Sequence, residues 1–221
     1  MMECDERSAR ERAYAEKLAR MIRVRTVQEP GNARSFEDFH ALLEELFPAV
    51  FERCELKMFG DDGGSLLFRW HSACADEEKQ PALLLMSHQD VVDAEGPWTH
   101  EPFGGEIAEG RVWGRGALDI KGNLLCILQA LEELIEAGIS PAFDIYVASS
   151  DCEEIGGNDL VPSYLKEQHV DIDLLVDEGP CVVRSEGGSL IAQVAVAEKG
   201  QAIFKCSAFG PGGHAMNFGK N

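Results

Sequence analysis

Apolar positions along the first part of the chain recur with helical spacing and then give way to short runs. Between Arg10 and Val24, Tyr14, Leu18, Met21 and Ile22 fall on one face of a 3.6-residue period and predict a helix. Phe36, Phe39, Leu43 and Phe47 form the stripe of a second, with Ser35 as its N-cap and Pro48 as its stop. Leu56 to Phe59, Ser65 to Trp70 and Ala82 to Met86 then read as strands. The last is apolar throughout, as expected of a central strand covered on both faces. Ile107 and Arg111 to Trp113 suggest a small hairpin. Lys121 to Ala137 is the clearest helix, with Leu124, Leu128, Leu131, Leu134 and Ile135 on its apolar face and Gly138 ending it. Phe143 to Ala148 reads as a strand, Asp159 to Gln168 as a helix and Leu174 to Val176 as a short buried strand. Helices alternating with apolar strands predict an α/β sheet covered on both faces.

The texture changes after that. Cys181 to Glu186, Leu190 to Ala197 and Gln201 to Phe209 read as consecutive strands punctuated by glycine, with no helix between them. This places a domain boundary near Ala197 to Gly200, with residues 1–197 forming a first domain and 198–221 only the start of a β-rich second one.

Charge narrows the function classes. The chain has 39 acidic and 20 basic residues in 221, a formal charge of −19. Phosphate backbones and anionic lipid would repel it, so neither nucleic acid nor a membrane surface is an expected partner. No apolar run approaches the ~18 residues of a membrane span. The charged N-terminus resembles neither a secretory signal nor a transit peptide. The seven cysteines are odd in number and form no C-x-x-C pair, which suits free thiols in a reducing cytoplasm.

The candidate chemistry gathers where strands end. His88 and Asp90 directly follow the apolar strand that ends at Met86. Taken alone, a His-x-Asp pair is more often a surface pair than a site. Gly114-Arg-Gly-Ala-Leu-Asp119 opens the clearest helix. A dinucleotide-binding loop would need glycine where Asp119 stands, and a carboxylate there would repel a pyrophosphate. Asp119 is therefore either a helix cap or a ligand aimed into a site. Asp151, Glu153 and Glu154 follow the strand ending at Ala148, and Asp177 and Glu178 follow Val176. Oxygen and imidazole donors without thiolate pairs suit catalytic zinc, or manganese or cobalt.

As a set and in this order, these segments resemble the di-zinc aminoacylase and carboxypeptidase family of metallopeptidases, the M20 type. Ser87-His-Gln-Asp-Val-Val92 resembles its first metal motif, Gly114-Arg-Gly-Ala-Leu-Asp-Ile-Lys-Gly122 its bridging-aspartate motif and Glu153-Glu154-Ile-Gly-Gly157 its catalytic and metal-binding glutamate pair. Asp177-Glu-Gly179 resembles its next metal motif and Gly210-Pro-Gly-Gly-His214-Ala its lid histidine segment. The resemblance implies a mixed β-sheet sandwiched between helices, of the zinc-exopeptidase type, followed by the start of a lid and dimerisation domain. It implies two zinc ions, with Asp119 bridging them, His88 and Asp177 completing one and Glu154 belonging to the other. Asp90 would orient His88. Glu153 would be the general base on a metal-bridged water, and His214 would stabilise the oxyanion from a partner subunit's lid. The substrate implied is a small peptide or N-acyl amino acid. This chain departs from the family by carrying Cys152 where an aspartate is usual, and by ending before a late metal histidine. A catalytically inactive fragment or pseudoenzyme acting as an interaction module is the competing expectation.

Overall fold

The computed structural model of the chain describes residues 2–61, 63–74, 80–157, 160–179, 182–197, 202 and 204–207. Two compact units divide it, Met1–Glu178 and Gly179–Asn221.

The first unit opens with α1 (Met2–Arg23), α2 (Ala33–Leu46) and α3 (Pro48–Arg53), followed by strands β1 (Glu55–Phe59), β2 (Ser65–Trp70) and β3 (Gln80–His88). Pro48 does not simply end α2. It begins α3, where a missing N–H costs nothing because first-turn donors have no helical acceptor. A short hairpin, β4 (Glu106–Ala108) with β5 (Arg111–Trp113), precedes α4 (Lys121–Glu136). The unit closes with β6 (Phe143–Ser150), α5 (Leu160–Glu167) and β7 (Ile172–Val176).

The central sheet has the order β1-β2-β6-β3-β7. β1 pairs antiparallel with β2, and β2 antiparallel with β6, while β6, β3 and β7 run parallel. Alternation along the strands sends side chains to two cores. Leu66, Phe68, Trp70 and Val147 pack with Phe39, Leu43, Leu124 and Leu128 beneath α1 to α4. Leu67, Leu84, Tyr146 and Ala148 pack with Val161 and Leu165 of α5 on the opposite face. Fully burying each large apolar side chain contributes roughly 1.5–3 kcal/mol. The fold is thus a mixed α/β sheet between helices, as the pattern predicts.

β7 differs from its expectation. Leu174, Leu175 and Val176 are 55%, 52% and 46% exposed, not buried. β3 is its sole strand neighbour among the described residues, so this apolar run lies at the sheet's edge.

In the second unit, β8 (Val182–Arg184) and β9 (Leu190–Ala192) form an antiparallel hairpin. Residues 193–197 and 204–207, expected to be strand, are irregular. Most of 198–221, including the His214 segment, lies outside the described residues.

Candidate metal centre

The parallel strands β3, β6 and β7 all end on the same side of the sheet. His88 is the last residue of β3 and pairs with Ser150, the last of β6. Ligands gather at such carboxyl ends because loops can converge there without disturbing the sheet.

His88 is only 2% exposed. Its Nδ1 donates to the backbone oxygen of Asp90 at 2.9 Å, with Asp90 Oδ1 at 3.3 Å. That partner leaves Nε2 facing outward, where Asp119 Oδ1 lies at 3.0 Å. Glu153 Oε2 and Glu178 Oε2 lie at 3.9 Å from the same nitrogen. Burial opposes a charge on His88, but hydrogen bonds and attraction from Asp90 outweigh it and raise the imidazole to about 9. Glu154 and Glu178 also sit above the ordinary carboxyl range. For each, burial is the first cause, and the neighbouring Asp119 carboxylate adds to it.

Asp90 holds more than the imidazole. Fully buried, it accepts the backbone N–H of Glu153 at 3.2 Å on Oδ1 and of Glu154 at 3.0 Å on Oδ2. One carboxylate therefore fixes both the end of β3 and the turn after β6. Gln89, between the two site residues, turns the other way. Its Nε2 donates to Gly64 O at 2.6 Å, and its Oε1 meets His40 Nε2 at 2.9 Å.

Asp119 reaches the site from the turn before α4 and is 68% exposed. The turn is tied down by Lys121, whose backbone N–H bonds Gly116 O at 2.8 Å. The Lys121 ammonium is buried beneath it, donating to Met21 O at 3.0 Å and Val24 O at 2.7 Å near the end of α1. Burial lowers this lysine to about 7, with Asp90 opposing. Its position after Asp119 offers no sequence signal for that role beyond a cation at the mouth of an apolar helix.

Two ligand-competent groups result among the described residues. His88, Asp119 and Glu154 place donor atoms within 4.8 Å of one another, and so do His88, Glu153 and Glu178. Asp177 belongs to neither. Its Oδ1 accepts the N–H of Glu178 at 2.8 Å, while Glu178 Oε2 is the oxygen that lies 3.9 Å from His88 Nε2. Both acids follow Val176 in the sequence; the direction the chain takes on leaving β7 decides between them. A divalent cation fits this donor set. One imidazole nitrogen and several carboxylate oxygens are crowded together, and their mutual repulsion is what a cation would relieve.

An α/β sheet with imidazole and carboxylates converging on the ends of its parallel strands is the setting of a metal-dependent domain. Comparison with known proteins makes the assignment specific. Residues 84–214 match the description "Peptidase family M20/M25/M40". The chain belongs to that family, whose members depend on metal. It is 31% identical over 220 residues to carboxypeptidase S of Saccharomyces cerevisiae, covering 90% of this chain and 37% of that one. It is 33% identical over 192 residues to the N-fatty-acyl-amino acid synthase/hydrolase PM20D1.1 of Danio rerio, covering 83% and 37%. Human carnosine dipeptidase 1 shares the fold, with a TM-score of 0.61 at 17% identity over 77% of this chain and 39% of that structure. The chain thus spans about two fifths of the length of the relatives it matches.

Proposed function

We propose that the intact protein hydrolyses the amide bond of a small peptide or N-acyl amino acid. The observation that carries this reading is the convergence of His88, Asp119, Glu153, Glu154 and Glu178 at one sheet end. His88, Asp119 and Glu178 would hold one zinc ion, and Asp119 with Glu154 would contribute to a second. Bound there, zinc would lower the pKa of water and polarise the scissile carbonyl.

The chain's own groups supply the rest. Glu153, half exposed beside His88, would take the proton of the attacking water and return it to the leaving amine. A positioned base of this kind contributes roughly 10²–10⁴ in rate. Asp90 keeps Glu153 and Glu154 in register with His88 through their backbone N–H groups. His214 as oxyanion stabiliser and a homodimer formed through the lid remain part of the proposal, supported by the sequence resemblance. A cytoplasmic location is supported by Cys54, Cys74, Cys126, Cys152 and Cys206, which are free thiols. No helix among the described residues is long and apolar enough to cross a membrane.

The test combines elemental analysis after dialysis with hydrolysis of dipeptides and N-acyl amino acids. We expect bound zinc, turnover, and a Glu153→Gln variant that retains metal but loses at least a hundredfold in kcat. Metal without turnover in the wild type would favour the interaction-module reading, and near-normal activity in Glu153→Gln would remove Glu153 from the mechanism.

A further inference from the structure

The turn that carries Glu153 and Glu154 also borders a cleft of about 370 Å³ at the same end of the sheet. Gln28 and Pro30 from the segment after α1, Phe36 of α2, Gly64 before β2, and Asp151 and Ile155 flanking the glutamate pair line it. Pro30, Phe36 and Ile155 supply the apolar part of the walls, and Gln28, Glu29 and Asp151 make the rest polar. The polar end is Asp151. Its Oδ2 accepts from Gln28 Nε2 at 3.0 Å and its Oδ1 from the Ser65 hydroxyl. Both donors are neutral, so among the described residues the carboxylate is oriented without being ion-paired.

The neighbours leave that charge standing. Glu29, the other acid at the cleft, is paired with Arg25. His40 lies close enough to feel Asp151, but burial holds its imidazole below the ordinary value and so works against a cation there. Gly64 makes the arrangement possible, because a Cβ there would run into the Asp151 carboxylate. A carboxylate has about four lone-pair positions, and two are used here. The result is a cleft with one apolar side and one oriented negative charge, two residues along the chain from the proposed general base.

We propose that this cleft is a specificity pocket for the cationic side chain of a substrate residue beside the scissile amide, an ammonium or guanidinium on an aliphatic stem. The inference rests on the amide-hydrolase reading above. The stem packs on Phe36, Pro30 and Ile155 while the head meets Asp151, the division of labour that long basic side chains adopt at surfaces. The overall charge of −19 disfavours anionic substrates, and a basic side chain offsets the charge of the substrate's own carboxylate.

The experiment compares Nα-acetyl-lysine with Nα-acetyl-norleucine, which has the same stem without the ammonium, as substrates of the zinc-loaded intact protein. We expect kcat/KM to favour lysine by about fivefold or more at low salt, the scale of one oriented, partly desolvated ion pair. The preference should shrink as ionic strength rises. It should fall to about one in Asp151→Asn. Should that variant fold poorly, Ile155→Arg, which sets a fixed cation at an exposed wall position, should abolish the preference instead. Equal turnover of the two compounds by the wild type, or a lysine preference that survives in both variants, would overturn the inference while leaving the amide-hydrolase reading intact. If neither compound is hydrolysed, that reading is in question, and calorimetric titration of both compounds decides the pocket separately. Tighter binding of the lysine compound that is lost in Asp151→Asn supports it, and equal binding refutes it.

Discussion

Replacing Asp90 by asparagine tests whether one buried carboxylate organises the whole site. Asp90 accepts two backbone N–H groups, from Glu153 at 3.2 Å and Glu154 at 3.0 Å, and faces His88 Nδ1 at 3.3 Å. Hydrogen bonds to a charged acceptor contribute about 1.5–3 kcal/mol each. Asparagine keeps one acceptor oxygen but turns its NH2 against the other donor, and its neutrality removes the attraction to a charged His88. Loss of one such bond plus that attraction gives about 2–4 kcal/mol of destabilisation, a large part of the ~5–15 kcal/mol of a typical domain. Urea unfolding of the metal-free protein, followed by circular dichroism, measures the change directly. Asp93→Asn is the control, since it loses an exposed pair with Arg25 while its amide oxygen can still accept the Ala94 N–H, and it should cost at most ~1 kcal/mol. Zinc affinity should fall about 10–100-fold in Asp90→Asn, because the orientation of His88 and Glu154 depends on this residue. A variant within about 0.5 kcal/mol of wild type, with unaltered zinc affinity, would refute the reasoning and show that the glutamate turn holds itself.

The ligand assignment predicts that Glu178→Gln weakens zinc binding about tenfold or more, equivalent to ~1.4 kcal/mol, while Asp177→Asn changes it little; zinc titration separates the two. His88 has a folded pKa raised to about 9 from 6.5, so in the metal-free protein its contribution is fully present below pH 6.5 and lost as pH rises through 9. The shift corresponds to about 3 kcal/mol. Lys121, depressed to about 7, acts in the opposite direction over part of that range. The measurement is therefore the difference between wild type and His88→Asn in urea midpoint, which should narrow between pH 6.5 and 9. Zinc must displace the His88 proton, so its affinity should rise over the same interval. Gly105 has φ +55°, and a Cβ there would run into the Ala19 carbonyl of α1; Gly105→Ala should cost about 2–4 kcal/mol, read as a fall of roughly 5–15 °C in Tm.

Residue order and periodicity revealed those parts of the fold that local physics controls. The bounds of β2 agree with its run of apolar residues, and the stripe Leu124, Leu128 and Leu131 does face the core. Leu134, on the same predicted stripe, is 38% exposed, because the buried face rotates toward Leu125. The status of β7 was hidden, since an apolar run looks the same at an edge as at the centre; position in the sheet is a property of pairing. In the site, His88, Asp119 and Glu154 were marked by standing where elements end, and the structure brings them together. Glu178 was obscured by its neighbour, because two adjacent acids after a strand differ only in the direction each is turned. Lys121 and Gln89 were illegible for a related reason. Each acts through backbone carbonyls on distant segments, Met21 and Val24 for the first and Gly64 for the second, and carbonyls leave no trace in residue type.

Among the described residues, β7 has one strand neighbour, a partly exposed apolar surface, and near its end the carboxylate of Glu178 3.9 Å from His88. A strand held along only one side is free to open without unfolding the rest of the sheet. An ion gripping Glu178 and His88 together would be its second anchor, and binding only to the closed strand would stabilise it by RT ln(1 + [L]/Kd). Amide protons of Asp173 to Val176 would then exchange with solvent at a rate set by zinc concentration, while those of β2 and β6 in the sheet's interior would not respond. The edge of the sheet would thus serve as a built-in gauge of metal occupancy, readable without any substrate.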